Sequence, residues 1–331
     1  MLDSTLQAVL SYYGLDGAFV RRIEPLENAG GWSGSRLWRI ADGDGREVCL
    51  RRWPAEHPTV DRLRLIHGVL AVVGPELPVV AGPISATDGA TFVEHGGRLW
   101  ELTLWKPGRA DYHANPSRLR LKAAFQMLAR FHCVAARYQS SRGRAPTLTE
   151  RLRRWSEMKD GGLSIIERSL GTRLTEEIDS LAPRLLAGAQ RVLASAQIPA
   201  QLAAEPELWL QPAIRDVHHD HVLFMGDEVT GLIDFGAMRI DTPLADVARL
   251  VGSLVGDDRV ARGFALDAYA EVRTLSNADR RLIGVLDEMG VVLGALNWLT
   301  WLYVERRDMG PVGPIVWRLE EILKRMEARA V

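Results

Sequence analysis

Between Asp216 and His221 the chain places three histidines and two aspartates in six residues, directly before the apolar run Val222-Leu223-Phe224-Met225. Imidazoles with carboxylates can ligate a metal ion, and a positioned carboxylate can accept the proton of a hydroxyl during group transfer. Downstream, Val222–Met225 and Val229–Ile233 flank Gly226-Asp227-Glu228, a turn sequence between strand-forming runs that predicts a β-hairpin. A hairpin folds its ends together. His221 and Asp234 are therefore expected side by side at its open end, with Asp216 in the loop that feeds the first strand.

A cation-holding carboxylate beside a general base is what phosphoryl transfer requires. The stretch "NAGGWSGS", residues 28–35, supplies a third part, because Gly30, Gly31 and Gly34 let backbone N–H groups approach phosphate oxygens without a Cβ in the way. An ordinary hairpin turn is its competing reading. No Gly-Lys-Ser/Thr follows, so the stretch is not a Walker A loop. For His218, His219 and His221 a dedicated transition-metal site is the competing reading, but no outlying Cys or His shows zinc-site spacing. A His/Asp metallohydrolase would account for the histidines alone and would explain neither the glycine loop nor the hairpin ending in Asp234-Phe235-Gly236.

The elements that must position these groups change character along the 331 residues. "FVRRIEPL", "SRLWRIADGDG" and "REVCLRRW" are short, rich in β-branched or aromatic residues and separated by glycine turns, which predicts an antiparallel meander. Leu63, Ile66, Leu70 and Val73 fall at helical spacing, and "ATFVEHGGRLWELTLW" returns to a hairpin turning at Gly96-Gly97. After Gly108 helices dominate, beginning with the apolar stripe Leu121, Ala124, Phe125, Leu128 and Phe131. Helices are also predicted near 150–159, 173–196, 258–273, 278–304 and 313–330, with the 222–234 hairpin as the one interruption. This predicts an α+β fold of two parts, a β-rich lobe over 1–108 and a helical lobe over 109–331.

Lys plus Arg total 41 against 42 for Asp plus Glu, a net charge of −1, so no basic field recruits nucleic acid or anionic lipid. The N-terminus lacks the pattern of a signal peptide, and the uncharged run 289–304 is shorter than a bilayer-spanning segment and is read as a buried helix. Cys49 and Cys133 do not make a disulfide framework; both are expected as buried small hydrophobes in a reducing, cytoplasmic setting. The sequence carries no expectation for oligomeric state.

Across most of its length the chain resembles the aminoglycoside phosphotransferase and choline kinase-like family of small-molecule kinases, which share the protein-kinase-like fold. "PLENAGGWSGSRLWRI" is similar to the family's glycine loop, "VCLRRW" to its phosphate-pairing strand, "ELTLWKPG" to its hinge, "LARFH" to the helix before the catalytic segment, "IRDVHHDHVLF" to the catalytic loop and "GLIDFGAMRIDTPLADVARL" to the metal segment. The resemblance implies ATP with Mg²⁺ as cofactors and a small-molecule hydroxyl as acceptor. Asp216 would be the base, Asp234 a metal ligand with His221 as the second, and Asp246 a structural brace. Gly30, Gly31, Ser33, Gly34, Ser35 and Arg51 would hold the phosphates, and Glu101, Leu102 and Trp105 would line the adenine pocket.

The departures are specific. His221 stands where the family has Asn, and imidazole suits Mn²⁺ better than Mg²⁺. His67 is the best replacement for the helix Glu that normally pairs with the strand Lys, here Arg51. Arg215, beside the base, would tune Asp216 or clamp a phosphate. Trp298 and Trp301 are read either as an aromatic wall for the acceptor or as core packing. A catalytically inactive nucleotide- or metabolite-binding regulator on the same fold is the alternative function.

Overall fold

The computed structural model describes residues 4–15, 20–26, 34–194, 197–204 and 207–328. It divides into two compact units, Met1–Gln139 with Pro212–Arg239, and Ser140–Gln211 with Ile240–Val331.

The first unit opens with helix α1 (Ser4–Tyr12), followed by strands β1 (Val20–Pro25), β2 (Arg36–Asp42) and β3 (Glu47–Arg52), helix α2 (Val60–Val73), strands β4 (Pro83–Ile84), β5 (Val93–His95) and β6 (Arg98–Leu104), and helix α3 (Arg118–Ala135). The strands form an antiparallel sheet in the order β1-β2-β3-β6-β4, with β5 also paired to β6. Alternation along each strand decides its faces. Val48 and Leu50 of β3 join Trp100 and Leu102 of β6 in one apolar cluster with Leu6, Val9 and Leu10 of α1. Cys49, Arg51 and Glu101 therefore belong to the opposite face, and Arg51 lies directly across from Glu101 in the register. Gly96 and Gly97 both adopt positive φ (59° and 66°), which the tight β5–β6 turn requires.

The helices bear out their stripes. Leu63, Ile66, Leu70 and Val73 of α2 are buried, and Thr59 caps its start by accepting from Arg62 N–H (3.3 Å). Leu121, Ala124, Phe125, Leu128 and Phe131 line the buried side of α3. Cys133 points the other way and is exposed, against expectation, because it falls off that stripe; Cys49 is half-buried. The chain re-enters this unit with the predicted hairpin, β9 (Val222–Met225) and β10 (Glu228–Leu232), with a bulge between Val229 and Gly231. Its turn is tied to the start of α3, where Ser117 Oγ donates to Asp227 Oδ1 (2.8 Å), and its second strand to Pro107, whose carbonyl accepts from Thr230 Oγ1 (2.6 Å). Gly108 lies against that junction at φ 109°.

The second unit is mainly helical: α4 (Pro146–Glu157), α5 (Leu163–Ser169), α6 (Glu176–Leu193), α7 (Gln197–Ala204), α8 (Leu244–Val255), α9 (Arg259–Ala270), α10 (Asn277–Leu299) and α11 (Val312–Ala328). Strands β7 (Ser141–Gly143), β8 (Leu208–Ala213) and β11 (Arg239–Asp241) form a three-stranded sheet that the sequence pattern did not show. Helix α10 starts on a capping box between Ser276 and Asp279 and packs against α6, α8 and α11. Its buried Asp287 receives Arg262 (2.8 Å) and Arg325 (2.7 Å), so charge inside this unit is paired. Residues 277–304 are long and apolar enough to cross a membrane, but 67% of the apolar window is buried within the protein, as for the core helix of a folded domain.

Candidate active site

Every described member of the proposed phosphate, base and metal set lies in the first unit. In the loop before β9, Ile214 and Val217 are fully buried, which leaves Arg215 and Asp216 between two anchored side chains. Arg215 takes the left-handed backbone conformation, φ 72°, uncommon for a side chain of its size. Residues His219–His221 make one helical turn, closed by His221 N–H donating to the His218 carbonyl (2.9 Å).

His221 Nδ1–H donates to the backbone carbonyl of Asp216 (2.8 Å), which fixes the ring and leaves Nε2 facing Asp234 Oδ2 at 3.6 Å. Burial and neighbouring His218 push the His221 pKa down, outweighing the opposite pull of Asp234 and Asp216, so the ring is neutral and Nε2 carries a lone pair. Hairpin closure produces this approach: Ile233 N–H donates to the His221 carbonyl (3.1 Å). Asp234 itself has φ 61°. Burial opposes its ionisation, but Arg51, the imidazolium that His221 becomes in acid, and the Gly236 N–H prevail and hold its carboxyl down at about 2.

Arg51 links the hairpin to the sheet. Its guanidinium donates to Asp234 Oδ1 (3.0 Å), lies 3.8 Å from Glu101 Oε1 through Nε, and stacks over Trp53 with its carbon 4.5 Å from the ring centroid. Trp53, two residues along the strand from Arg51, was not singled out in the sequence, although its period-two position puts it on the same face. It also sets the close approach of Gly236, where a Cβ would come within 2.8 Å of the indole. Phe235, between these residues, stacks on Phe131 of α3 (5.9 Å, 11°), which anchors the segment.

The residues expected on the adenine side each have neighbours within the protein. Glu101 is buried and accepts from His67 Nε2 (2.7 Å), whose Nδ1 meets Thr91 Oγ1 (2.8 Å). The helix residue His67 thus reaches Glu101 rather than Arg51, and the carboxylate partner of Arg51 comes from β6. The side chain of Leu102 is committed to the apolar layer under α1. Trp105 follows β6 with the Arg39 guanidinium 4.5 Å above its ring. Gly34 has φ 75° and leads into Ser35 and β2; Gly30, Gly31 and Ser33 lie outside the described residues. Arg62 of α2 has its pKa lowered by burial and by the like charges of Arg239 and Arg215. Arg62 and Arg239 carried no motif by which sequence reading could find them.

Trp298 and Trp301 belong to the second unit. Their rings meet edge to face (5.6 Å, 68°), Trp298 is buried, and Arg307 covers Trp301 (5.3 Å). Beyond Trp298 the helix widens, with Glu305 N–H bonding the Thr300 carbonyl five residues back.

Residues 25–276 match the family model described as phosphotransferase enzyme family. None of the curated proteins matches the chain by sequence. Among solved structures, the chain is similar to a spectinomycin phosphotransferase in complex with ADP and spectinomycin (9% identity, 100% of this chain and 99% of that one, TM-score 0.66). It is also similar to an aminoglycoside phosphotransferase from Alicyclobacillus acidocaldarius (17% identity, 99% and 95%, TM-score 0.63). A third similar structure is amicoumacin kinase hAmiN in complex with AMP-PNP, Ca²⁺ and Ami (13% identity, 98% and 92%, TM-score 0.63). These likenesses establish the protein-kinase-like fold that the sequence resemblance implied.

Proposed function

The chain belongs to the phosphotransferase enzyme family, and from that premise we propose that it moves the γ-phosphoryl group of ATP to a hydroxyl of a small molecule. Asp216 is the base that accepts the hydroxyl proton, and Asp234 holds a divalent cation. The observation that carries this reading is a juxtaposition: His221, held on the Asp216 carbonyl, turns Nε2 to within 3.6 Å of Asp234, which Arg51 pairs from the sheet. The donors fit a cation: Asp234 stays ionised at any ordinary pH, and a neutral imidazole nitrogen faces its second oxygen. Oxygen with nitrogen suits Mn²⁺ at least as well as Mg²⁺. Bound there, the ion supplies charge neutralisation for the phosphate oxygens during transfer.

The remaining roles follow as parts of the same reading. Gly30, Gly31, Ser33, Gly34 and Ser35 cradle the phosphates, Arg51 pairs with them, and the backbone around Glu101, Leu102 and Trp105 borders the adenine. The nucleotide lobe covers 1–108, and the helical lobe, 109–331, carries the acceptor pocket. The nucleotides bound in the spectinomycin phosphotransferase and amicoumacin kinase structures support ATP as donor. His221 in the second-ligand position favours one alternative, a nucleotide-binding protein without turnover.

Calorimetric titration of ATP with Mg²⁺, with Mn²⁺ and without metal, on the wild type and Asp234→Ala, tests the cation site. Metal-dependent binding that disappears in Asp234→Ala is expected; no nucleotide binding under any condition overturns the reading. In a screen for phosphoryl transfer over hydroxylated acceptors, Asp216→Asn is expected to bind nucleotide and lose turnover. Turnover at the wild-type rate in that variant removes Asp216 from its role, and nucleotide binding with no transfer to any acceptor selects the inactive alternative.

A further inference from the structure

The catalytic loop holds more metal-ligating groups than phosphoryl transfer uses. His221 gives Nδ1 to the Asp216 carbonyl and turns Nε2 toward Asp234. His219 turns to Asp220, while His218 stands between that carboxylate and the Asp216–His221 group, within ligating distance of both. His219 Nε2 lies 3.2 Å from Asp220 Oδ1, and His218 Nδ1 lies 3.4 Å from Asp220 Oδ2, so each oxygen of one carboxylate faces a different imidazole. One candidate ligand atom from each of the three residues falls within 4.8 Å of the other two. Both rings are restrained: His219 is buried with the edge of His113 packed on it (4.6 Å, 70°), and His218 lies against His221 (3.9 Å). His218 Nδ1 is buried and makes no hydrogen bond.

Hydrogen bonding alone leaves this arrangement incomplete, because a buried ring nitrogen without a hydrogen bond is costly. A tetrahedral metal ion completes it. With metal–nitrogen bonds of about 2.0–2.1 Å and metal–oxygen bonds of about 2.0–2.2 Å, neighbouring donors stand roughly 3.4 Å apart, close to the 3.2 Å from His219 Nε2 to Asp220 Oδ1 and to the 3.4 Å from His218 Nδ1 to Asp220 Oδ2, so either carboxylate oxygen is placed to join one imidazole on the ion. The donor set excludes a hard ion as the preferred guest, since Mg²⁺ and Ca²⁺ take oxygen ligands, whereas two imidazoles with one carboxylate suit Zn²⁺. Asp220 has 54% of its side chain exposed, which gives the ion a path from solvent and water as a further ligand. We propose that His218, His219 and Asp220 form a second cation site, distinct from the Asp234–His221 pair, that binds a borderline transition-metal ion such as Zn²⁺.

The test is direct binding of Zn²⁺ to the metal-stripped full chain without nucleotide, followed by competition with a chromogenic chelator. Wild type is compared with His219→Ala, Asp220→Asn, Asp234→Ala and Cys133→Ser. One equivalent of Zn²⁺ is expected, with affinity reduced roughly 10–100-fold or more in His219→Ala and Asp220→Asn and retained in Asp234→Ala and Cys133→Ser. X-ray absorption should show nitrogen and oxygen neighbours and no sulfur. Absence of stoichiometric binding by the wild type overturns the proposal, as does binding that both loop variants leave unchanged. Asp220 is largely exposed, so Asp220→Asn decides the matter if His219→Ala fails to fold. Because the readout is metal binding without ATP, its outcome is independent of whether the chain transfers phosphate.

Discussion

Replacing Glu101 by Gln tests the buried array directly. Glu101 accepts from His67 Nε2 at 2.7 Å and lies 3.8 Å from Arg51 Nε, with 8% of its side chain exposed. Two unit charges at that separation attract by ~4 kcal/mol at an effective dielectric of 20, before desolvation is charged against them. The amide keeps the size and one acceptor but loses the charge, so the expected net cost is that of a hydrogen bond to a charged group, about 1.5–3 kcal/mol. Arg51 retains Asp234 at 3.0 Å, which limits the loss to less than the full breaking of a buried pair. Urea unfolding of wild type, Glu101→Gln, His67→Phe and the double variant measures it, and the two single costs are expected to be non-additive by at least about 0.5 kcal/mol because the residues touch. A Glu101→Gln variant as stable as the wild type would refute the claim that Glu101 braces Arg51, and strict additivity in the cycle would refute the coupling of Glu101 to His67.

Gly108→Ala should cost about 2–4 kcal/mol in urea unfolding, since its φ of 109° is strained for any other residue and a Cβ would meet the Thr230 hydroxyl and lie 2.8 Å from the Phe224 carbonyl; a neutral outcome would contradict that packing. Asp287→Ala removes the carboxylate shared by half-buried Arg262 and Arg325, of which Arg325 keeps Asp257 at 3.2 Å, and a loss of about 1.5–3 kcal/mol is expected in the thermal and urea transitions. The carboxyl of Asp234, held at about 2 against an ordinary 3.8, adds stability that is complete above the ordinary value and is lost as pH falls through about 2. The stability difference between metal-free wild type and Asp234→Asn should therefore shrink as pH is lowered from 5 to 2; a difference that stays constant would remove the Arg51–Asp234 pair as its source.

Local chemistry explains what could be read from the chain. Period-two alternation in "VCLRRW" placed Arg51 opposite the face of Val48 and Leu50, and Gly226-Asp227 set the turn that brings His221 to Asp234. The helical stripes in α2 and α3 were equally readable because each is set by residues within a few turns. The partner of Arg51 was not, since Glu101 meets it only through a register between strands separated by a helix and a hairpin. The sheet of β7, β8 and β11 escaped for a related reason: Ser141–Gly143 and Arg239–Asp241 are three residues each, too short to show a period. The widened turn at 300–304 leaves no mark in composition, and the aromatic pair beside it read equally well as wall or core; Trp298 proved to be core.

Arg215 and Asp234, on either side of the β9–β10 hairpin, both hold left-handed backbone angles of 72° and 61°. Glycine would occupy either position without a Cβ penalty, whereas a side chain there costs on the order of 1–3 kcal/mol. The hairpin is thus suspended between two points where the chain forgoes stability in order to present a particular side chain. A directed-evolution search for heat resistance would be drawn to Arg215→Gly, which deletes a guanidinium from the loop, whereas at Asp234 the relief of the backbone is set against the loss of the Arg51 pair. In this segment, selection for persistence and selection for chemistry pull in opposite directions at Arg215, and at Asp234 the ion pair draws them together.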